Sequence, residues 1–193
     1  MGVTPAPLAA RCWWAGNDPL MVAYHDEEWG QPTRSDSELF EMLCLEAAQA
    51  GLAWSTILRK CENYRRAFKG FDPKVVARFG EEDEERLLAD AGIVRNRAKI
   101  KAAIGNAQAA LRLIDEFSSL HAYFLSRVPG PPATLPRDAE PGSIPVTTPM
   151  SDELSKDLRK RGWKFVGSTI IYSFMQSVGL VDDHLPMCFR YRG

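Results

Sequence analysis

Helical periodicity with regular punctuation runs through almost the whole chain. Apolar residues recur every three or four positions, and each run ends near a glycine or a proline. Residues 35–50 are the clearest case. Ser35-Asp36-Ser37-Glu38 has the form of a capping box, with Ser35 as N-cap and Glu38 at the third helical position. Leu39, Leu43, Glu46 and Ala50 then share one face. Gly51 is placed to stop the helix. A second helix is expected from Ala53 to Phe68, and a short one opens at Pro73, which suits a first helical position. "EEDEERLLADAG" carries acids in its first turn and is closed by Gly92, and "NRAKIKAAIGNAQAALRLIDEF" reads as one long helix. Further helices are expected at 119–127, from Ser151 to a stop at Gly162, and over 168–178 before Gly179. No strand or internal repeat stands out, so the expected class is all-α.

The 193 residues, 45% of them apolar, are enough for one domain, or for two small lobes that share a core. Seven of the 13 prolines crowd into 129–149, which marks that segment as the connector. The first ten residues are expected to be a flexible tail. No apolar run reaches the roughly 18 to 20 residues of a membrane span, and the N-terminus lacks the basic-then-apolar order of a signal peptide. The four cysteines, Cys12, Cys44, Cys61 and Cys188, are too scattered for a disulfide scaffold. Cys44 and Cys61 lie in helical patterns and are read as small apolar residues. A soluble protein of a reducing compartment, the cytoplasm, is therefore expected, with no membrane partner. No coiled-coil seam is visible, so a monomer is expected.

A net charge of −1 provides no global basic field, so any nucleic-acid binding needs a local patch. One candidate is "DAGIVRNRAKIKA" (90–102), between two expected helices. Gly92 allows a tight hairpin there, and Arg95, Arg97, Lys99 and Lys101 surround it. Backbone N–H groups and a helix N-terminus suit a phosphate. An ordinary solvated helix face would look the same. A second cluster, "KDLRKRGWK" (156–164), holds five basic residues, and Arg190 and Arg192 could extend it.

Cys12 and His25 lie near one end of the chain, His184 and Cys188 near the other. Two Cys and two His complete a tetrahedral zinc set, and a sphere filled by four protein ligands is structural. Such an ion would clip the two ends together. Spacing alone leaves this open, because distant pairs are no local motif.

Four of the five tryptophans fall in the first 54 residues, with Tyr24 among them. They are either core or a stacking pocket for a planar ligand such as a nucleobase. Glu46 separates the two. A carboxylate on an apolar face costs on the order of several kcal/mol to bury unpaired. It must lie at a pocket edge, pair with a cation, or serve a function. Gln49 adds a second polar group one turn on.

The motifs "AYHDEEWG", "LEAAQAGLAW", "LLADAGIVRNRAKI", "IGNA" and "SDELSKDLRKRGWKFVGSTIIYSFMQSVGLVDDH" together resemble the DNA-3-methyladenine glycosylase I family, in order and spacing, from about Arg11 to Cys188. That resemblance implies a two-lobed helix-hairpin-helix glycosylase fold. One structural Zn2+ would be held by Cys12, His25, His184 and Cys188. It implies a substrate of double-stranded DNA containing alkylated bases, and free 3-methyladenine as product. Glu46 becomes the catalytic residue, with Tyr24 and Trp54 at the base and Trp14 lining the pocket. Gly51-Leu52 would face the opened duplex, with Leu52 as wedge. The hairpin of Gly92, Arg95, Arg97 and Lys99 would meet the DNA backbone. The implied domain is 11–193, with its helix-hairpin-helix at about 83–112. Ala47, Ala53 and Ala98 depart from the family pattern, which has Gly, Ser and Gly there. Two other readings stand beside it. A non-catalytic helical DNA-binding module with a structural zinc leaves Glu46 without a task. An endonuclease III-like iron–sulfur glycosylase needs clustered cysteines.

Overall fold

The computed structural model describes residues 10–193. The expected tail at 1–10 therefore lies, apart from Ala10, outside the described residues. Ten α-helices are formed among the described residues: α1 (Pro19–Ala23), α2 (Asp36–Gln49), α3 (Trp54–Leu58), α4 (Cys61–Ala67), α5 (Pro73–Val76), α6 (Glu81–Ala89), α7 (Arg97–Phe117), α8 (Leu120–Arg127), α9 (Pro149–Lys160) and α10 (Ser168–Ser177). A single π-helical turn, Tyr24–Glu28, continues α1.

Helix α2 is the centre of the molecule. It packs against α10, α7, α8 and α3, and it buries Leu39, Phe40, Leu43 and Leu45. Ser35 caps it by accepting from Glu38 N at 3.3 Å. The return half of the expected capping box is relayed: Thr33 Oγ1 accepts from Ser35 N at 3.2 Å and donates to the Glu38 carboxylate. Past α2, Gly51 takes φ +79°, a left-handed conformation that suits glycine.

The long helix expected over 53–68 is broken into α3 and α4. Lys60 N bonds Ile57 O at 2.8 Å, and Lys60 turns out to φ −109°, ψ −3°. No glycine or proline marks the break. The bonds that hold Lys60 are tertiary, from its ammonium to the carbonyls of Ala91 (3.0 Å) and Gly92 (3.3 Å). Helix α6 ends at Ala89, before the glycine expected to close it. Helix α9 begins two residues earlier than expected. Thr148 is its N-cap, Pro149 its first residue, and Ser151 exchanges hydrogen bonds with Thr148 at the third position.

The expectation of no strand fails at one point. Ala133–Thr134 (β1) pairs in parallel with Val181–Asp182 (β2), Ala133 opposite Val181 and Thr134 opposite Asp182. The pairing fastens the proline-rich connector to the segment that carries His184.

Candidate active site

The end of α2, the π-helical turn, the start of α3 and the end of α10 enclose a cleft of about 430 Å³. Trp14, Tyr24, Trp29, Glu46, Trp54 and Ser177 line it, and Gln49 also reaches it. Glu46 is only 4% exposed. Its Oε1 accepts a hydrogen bond from Ser177 Oγ at 2.9 Å. Burial pushes the carboxyl up to about 7, and the Ser177 bond opposes that rise. The Tyr24 hydroxyl donates to the same Ser177 Oγ at 3.2 Å. Burial, and then the nearby Glu46, hold the Tyr24 phenol well above its ordinary range, so it remains a donor.

The aromatic walls follow from local structure. Trp54 is the first residue of α3, directly after the Gly51-Leu52-Ala53 turn. Its ring lies 5.2 Å from that of Tyr24, at 47°. Its buried Nε1 has no hydrogen-bond partner among the described residues. Trp14 meets Trp29 edge-on at 4.9 Å and His25 edge-on at 5.2 Å. One aromatic cluster thus spans the cleft wall and the histidines behind it.

Behind the cleft, Cys12, His25 and Cys188 offer ligand atoms that all lie within 4.8 Å of one another. His184 falls outside that mutual group, although its ring is 5.4 Å from that of His25. Both imidazoles are held by carboxylates. His25 Nδ1 is 2.7 Å from Asp26 Oδ1, and His184 Nδ1 is 2.7 Å from Asp182 Oδ1. Such partners orient a metal-binding histidine through its other nitrogen. His184 Nε2 is buried without a hydrogen-bond partner among the described residues. Both sulfurs receive backbone donors, Cys12 from Leu185 N and Cys188 from Arg190 N, each at 3.4 Å. The donor set fits a tetrahedral metal ion. Cys44 and Cys61 are buried elsewhere, and burial pushes the Cys61 thiol up to about 12.

The surface beside the cleft carries Gly51 and Leu52, the latter 40% exposed. Arg95 is exposed, and Arg97 pairs with Glu85 at 2.9 Å. At Gly92 a Cβ would stand 2.8 Å from Asp90 Oδ1 and 3.0 Å from Asn63, so a larger residue does not fit there without a shift. The Lys99 ammonium is engaged inside the protein, on Ala48 O (2.8 Å) and Ala50 O (2.6 Å). The two basic clusters do not meet. Lys99 sits at the end of α2, whereas Trp163 of the second cluster packs on Phe40 near its start, ring centroids 6.4 Å apart. Arg190 and Arg192 turn to the side of the Cys12, His25 and Cys188 group, donating to Asp26 O and standing 4.0 Å from Asp182.

The sequence profile of the methyladenine glycosylase family matches residues 14–191. This chain belongs to the methyladenine glycosylase family. It is 51% identical to the DNA-3-methyladenine glycosylase 1 of Escherichia coli K12, over 95% of this chain and 97% of that protein. A crystal structure of a 3-methyladenine DNA glycosylase I superposes with a TM-score of 0.91 at 51% identity, covering 95% of this chain and 100% of the other. A variant of a 3-methyladenine DNA glycosylase I in complex with 3-methyladenine superposes with a TM-score of 0.87 at 34% identity, covering 94% and 99%.

In this methyladenine glycosylase the three alanine departures have different surroundings. Ala47 is buried beside Glu46, Ala53 is the exposed N-cap of α3, and Ala98 is exposed in the first turn of α7. Ser177 was not among the residues singled out from the sequence. It is a serine in an apolar helix, 131 residues from Glu46, and no spacing signals the pair. Lys60 escaped for the same reason, its partners lying 31 and 32 residues away, whereas Asp26 directly follows the His25 that it holds. Asp182, which holds the His184 imidazole, stands two residues before it in the chain.

Proposed function

We propose that this chain is a monofunctional DNA-3-methyladenine glycosylase, a hydrolase of base-excision repair. It flips an alkylated base out of double-stranded DNA and cuts its N-glycosidic bond. The observation that carries the reading is Glu46, a buried carboxylate in an aromatic cleft, in a chain 51% identical to a named glycosylase.

Alkylation at N3 makes the adenine cationic, so the base leaves neutral and needs no added proton. Trp54 stacks on the electron-poor ring, because an aromatic face attracts positive charge. Glu46 accepts hydrogen bonds from the base edge, Tyr24 adds a polar contact, and Trp14 closes the wall. The C1′–N9 bond breaks with its electron pair passing to the base. Water bonds C1′ and gives its proton to solvent. Gly51 and Leu52 meet the gap in the duplex, Leu52 as wedge. Gly92, Arg95 and Arg97 meet the backbone, with the N-terminus of α7. Lys99 serves the same face by holding the Gly51 turn, a reading supported by its bonds to Ala48 O and Ala50 O.

Cys12, His25, His184 and Cys188 would hold one zinc ion. When bound, it supplies structure rather than chemistry, joining the chain's two ends. The unpartnered His184 Nε2 supports its place as fourth ligand. Residues 11–193 form one two-lobed domain, with α6, its turn and α7 as the helix-hairpin-helix and 129–149 as connector. The protein acts as a monomer in the cytoplasm. Among the described residues no helix is long and apolar enough to cross a membrane.

The test is incubation with methylated DNA, assayed for free bases. Release of 3-methyladenine above the uncatalysed background is expected. Tight DNA binding without base release would overturn the reading in favour of a non-catalytic module.

A further inference from the structure

Ser177 is the point where the two polar groups of the cleft meet. Its hydroxyl, on the last residue of α10, has three neighbours within hydrogen-bond distance. Tyr24 OH is at 3.2 Å, Glu46 Oε1 at 2.9 Å and Ser173 O at 2.8 Å. Tyr24 keeps its proton and donates, as argued above. A serine hydroxyl has only one proton to give. Glu46 Oε1 and Ser173 O therefore compete for it.

The charge on Glu46 decides the competition. An ionised carboxylate is the stronger acceptor and draws the proton to Oε1. A protonated Glu46 instead donates to Ser177 Oγ, which turns its own proton back to Ser173 O, the ordinary helical back-bond. Among the described residues Ser177 is the only hydrogen-bond partner of this carboxylate. One carboxylate oxygen is thereby fixed, and the other keeps its lone pairs for an incoming base.

We infer that Ser177 is a positioning residue for base excision, whose hydroxyl orients the Glu46 carboxylate and favours its ionised form. The inference rests on the role proposed for Glu46. The other groups around that carboxylate leave the task to Ser177. Helix α10 contributes Ser173 and Gln176, which are uncharged, and α3 contributes Trp54. The Lys99 ammonium of α7 is bound to the carbonyls of Ala48 and Ala50. The π-helical turn offers Tyr24, which is neutral. Glu28, Glu41 and Arg65 line a separate cleft that Ser177 also borders, with Arg65 paired to Glu41 at 2.7 Å. Cys61 of α4 is a neutral thiol.

The experiment is single-turnover release of 3-methyladenine from methylated DNA, followed from about pH 5 to about pH 9. The wild type should lose rate on the acid side, as Glu46 takes up a proton. Ser177→Ala should move that acid limb upward by about one pH unit, and Ser177→Thr, which keeps the hydroxyl, should restore it. A Ser177→Ala limb that superimposes on the wild type overturns the proposal. So does an equal shift in Ser177→Thr, because packing and not the hydroxyl would then be responsible. Should the alanine variant not fold, Ser177→Cys, of similar volume and a poor donor, replaces it with the same expected shift. The carboxyl-carbon NMR titration of Glu46 gives a second readout, without DNA. Its midpoint should rise in the variant lacking the hydroxyl, and an unmoved midpoint overturns the proposal. No base release by the wild type would count against the proposed function, whereas the titration would still judge Ser177.

Discussion

The Lys99 ammonium stands 2.6 Å from the carbonyl oxygen of Ala50, joining the first turn of α7 to the end of α2. The orphan carbonyls of a helix C-terminus are usually satisfied locally or by water. Here the ammonium comes from 49 residues away. It fixes the take-off of the Gly51-Leu52 turn and, through it, the start of Trp54.

Lys99→Met should cost about 2 kcal/mol of stability, since it removes charge-assisted bonds at half-buried carbonyls. Urea unfolding measures the loss, and hydrogen exchange should rise locally at residues 50–53. The salt slope of DNA affinity should stay as in the wild type. A slope lowered by one charge would show that Lys99 touches phosphate directly.

Arg95→Ala should behave in the opposite way. Arg95 is exposed and carries no ion pair among the described residues, so stability should change by less than about 0.5 kcal/mol. The slope of log affinity against log salt should fall by about 0.9. An unchanged slope would remove Arg95 from the DNA face.

Glu46→Gln should lose most base release and yet gain stability above neutrality. The carboxyl is raised from 4.5 to about 7 by burial. Between those values the folded protein binds more protons than the unfolded chain. The contribution of Glu46 to wild-type stability therefore falls as pH rises through that window, by roughly 3 kcal/mol in all, and is level above it. Glutamine resembles the protonated acid, so the variant should match the wild type near pH 4.5 and exceed it above about pH 7. Urea midpoints at the two ends check this, and a variant less stable than wild type at the upper end refutes it.

Trp54→Ala should weaken product inhibition by free 3-methyladenine. Stacking on an aromatic ring contributes about 1 to 3 kcal/mol per base, which corresponds to roughly a 5- to 150-fold rise in the inhibition constant. An unchanged constant would assign the stacking to another ring.

Chelation should lower the melting temperature and remove close to one zinc per chain by elemental analysis. His184→Ala should reproduce the lower melting temperature without a chelator. If chelator leaves the melt unchanged, the four residues do not hold an ion that stabilises the fold.

Much of this was legible because it is local. Ser35, the face of Leu39 and Leu43, and the positive φ of Gly51 belong to one short stretch, and α2 came out as read. Glu46 was visible as a misfit on that face. What escaped reading is held by distant partners. The break at Lys60 depends on carbonyls 31 and 32 residues away. The strand pair joins two segments of two residues each, too short for alternation to register. Lys99 had the look of a surface charge, and Ser177 that of a filler among apolar neighbours. In both, the meaning lies in an acceptor that sequence order does not reveal.

The cleft draws Trp14, Tyr24, Glu46 and Trp54 from the first third of the chain and Ser173, Gln176 and Ser177 from its last eighth. This division sets a schedule. A nascent chain grown as far as α9 already contains the glutamate and the tyrosine, yet neither has its shared serine, and the wall that α10 supplies is missing. Contacts so far apart in sequence form only after long loops have closed. The glycosidic machinery is thus among the last things this polypeptide acquires on its way to maturity, and no shorter fragment ending before α10 carries it.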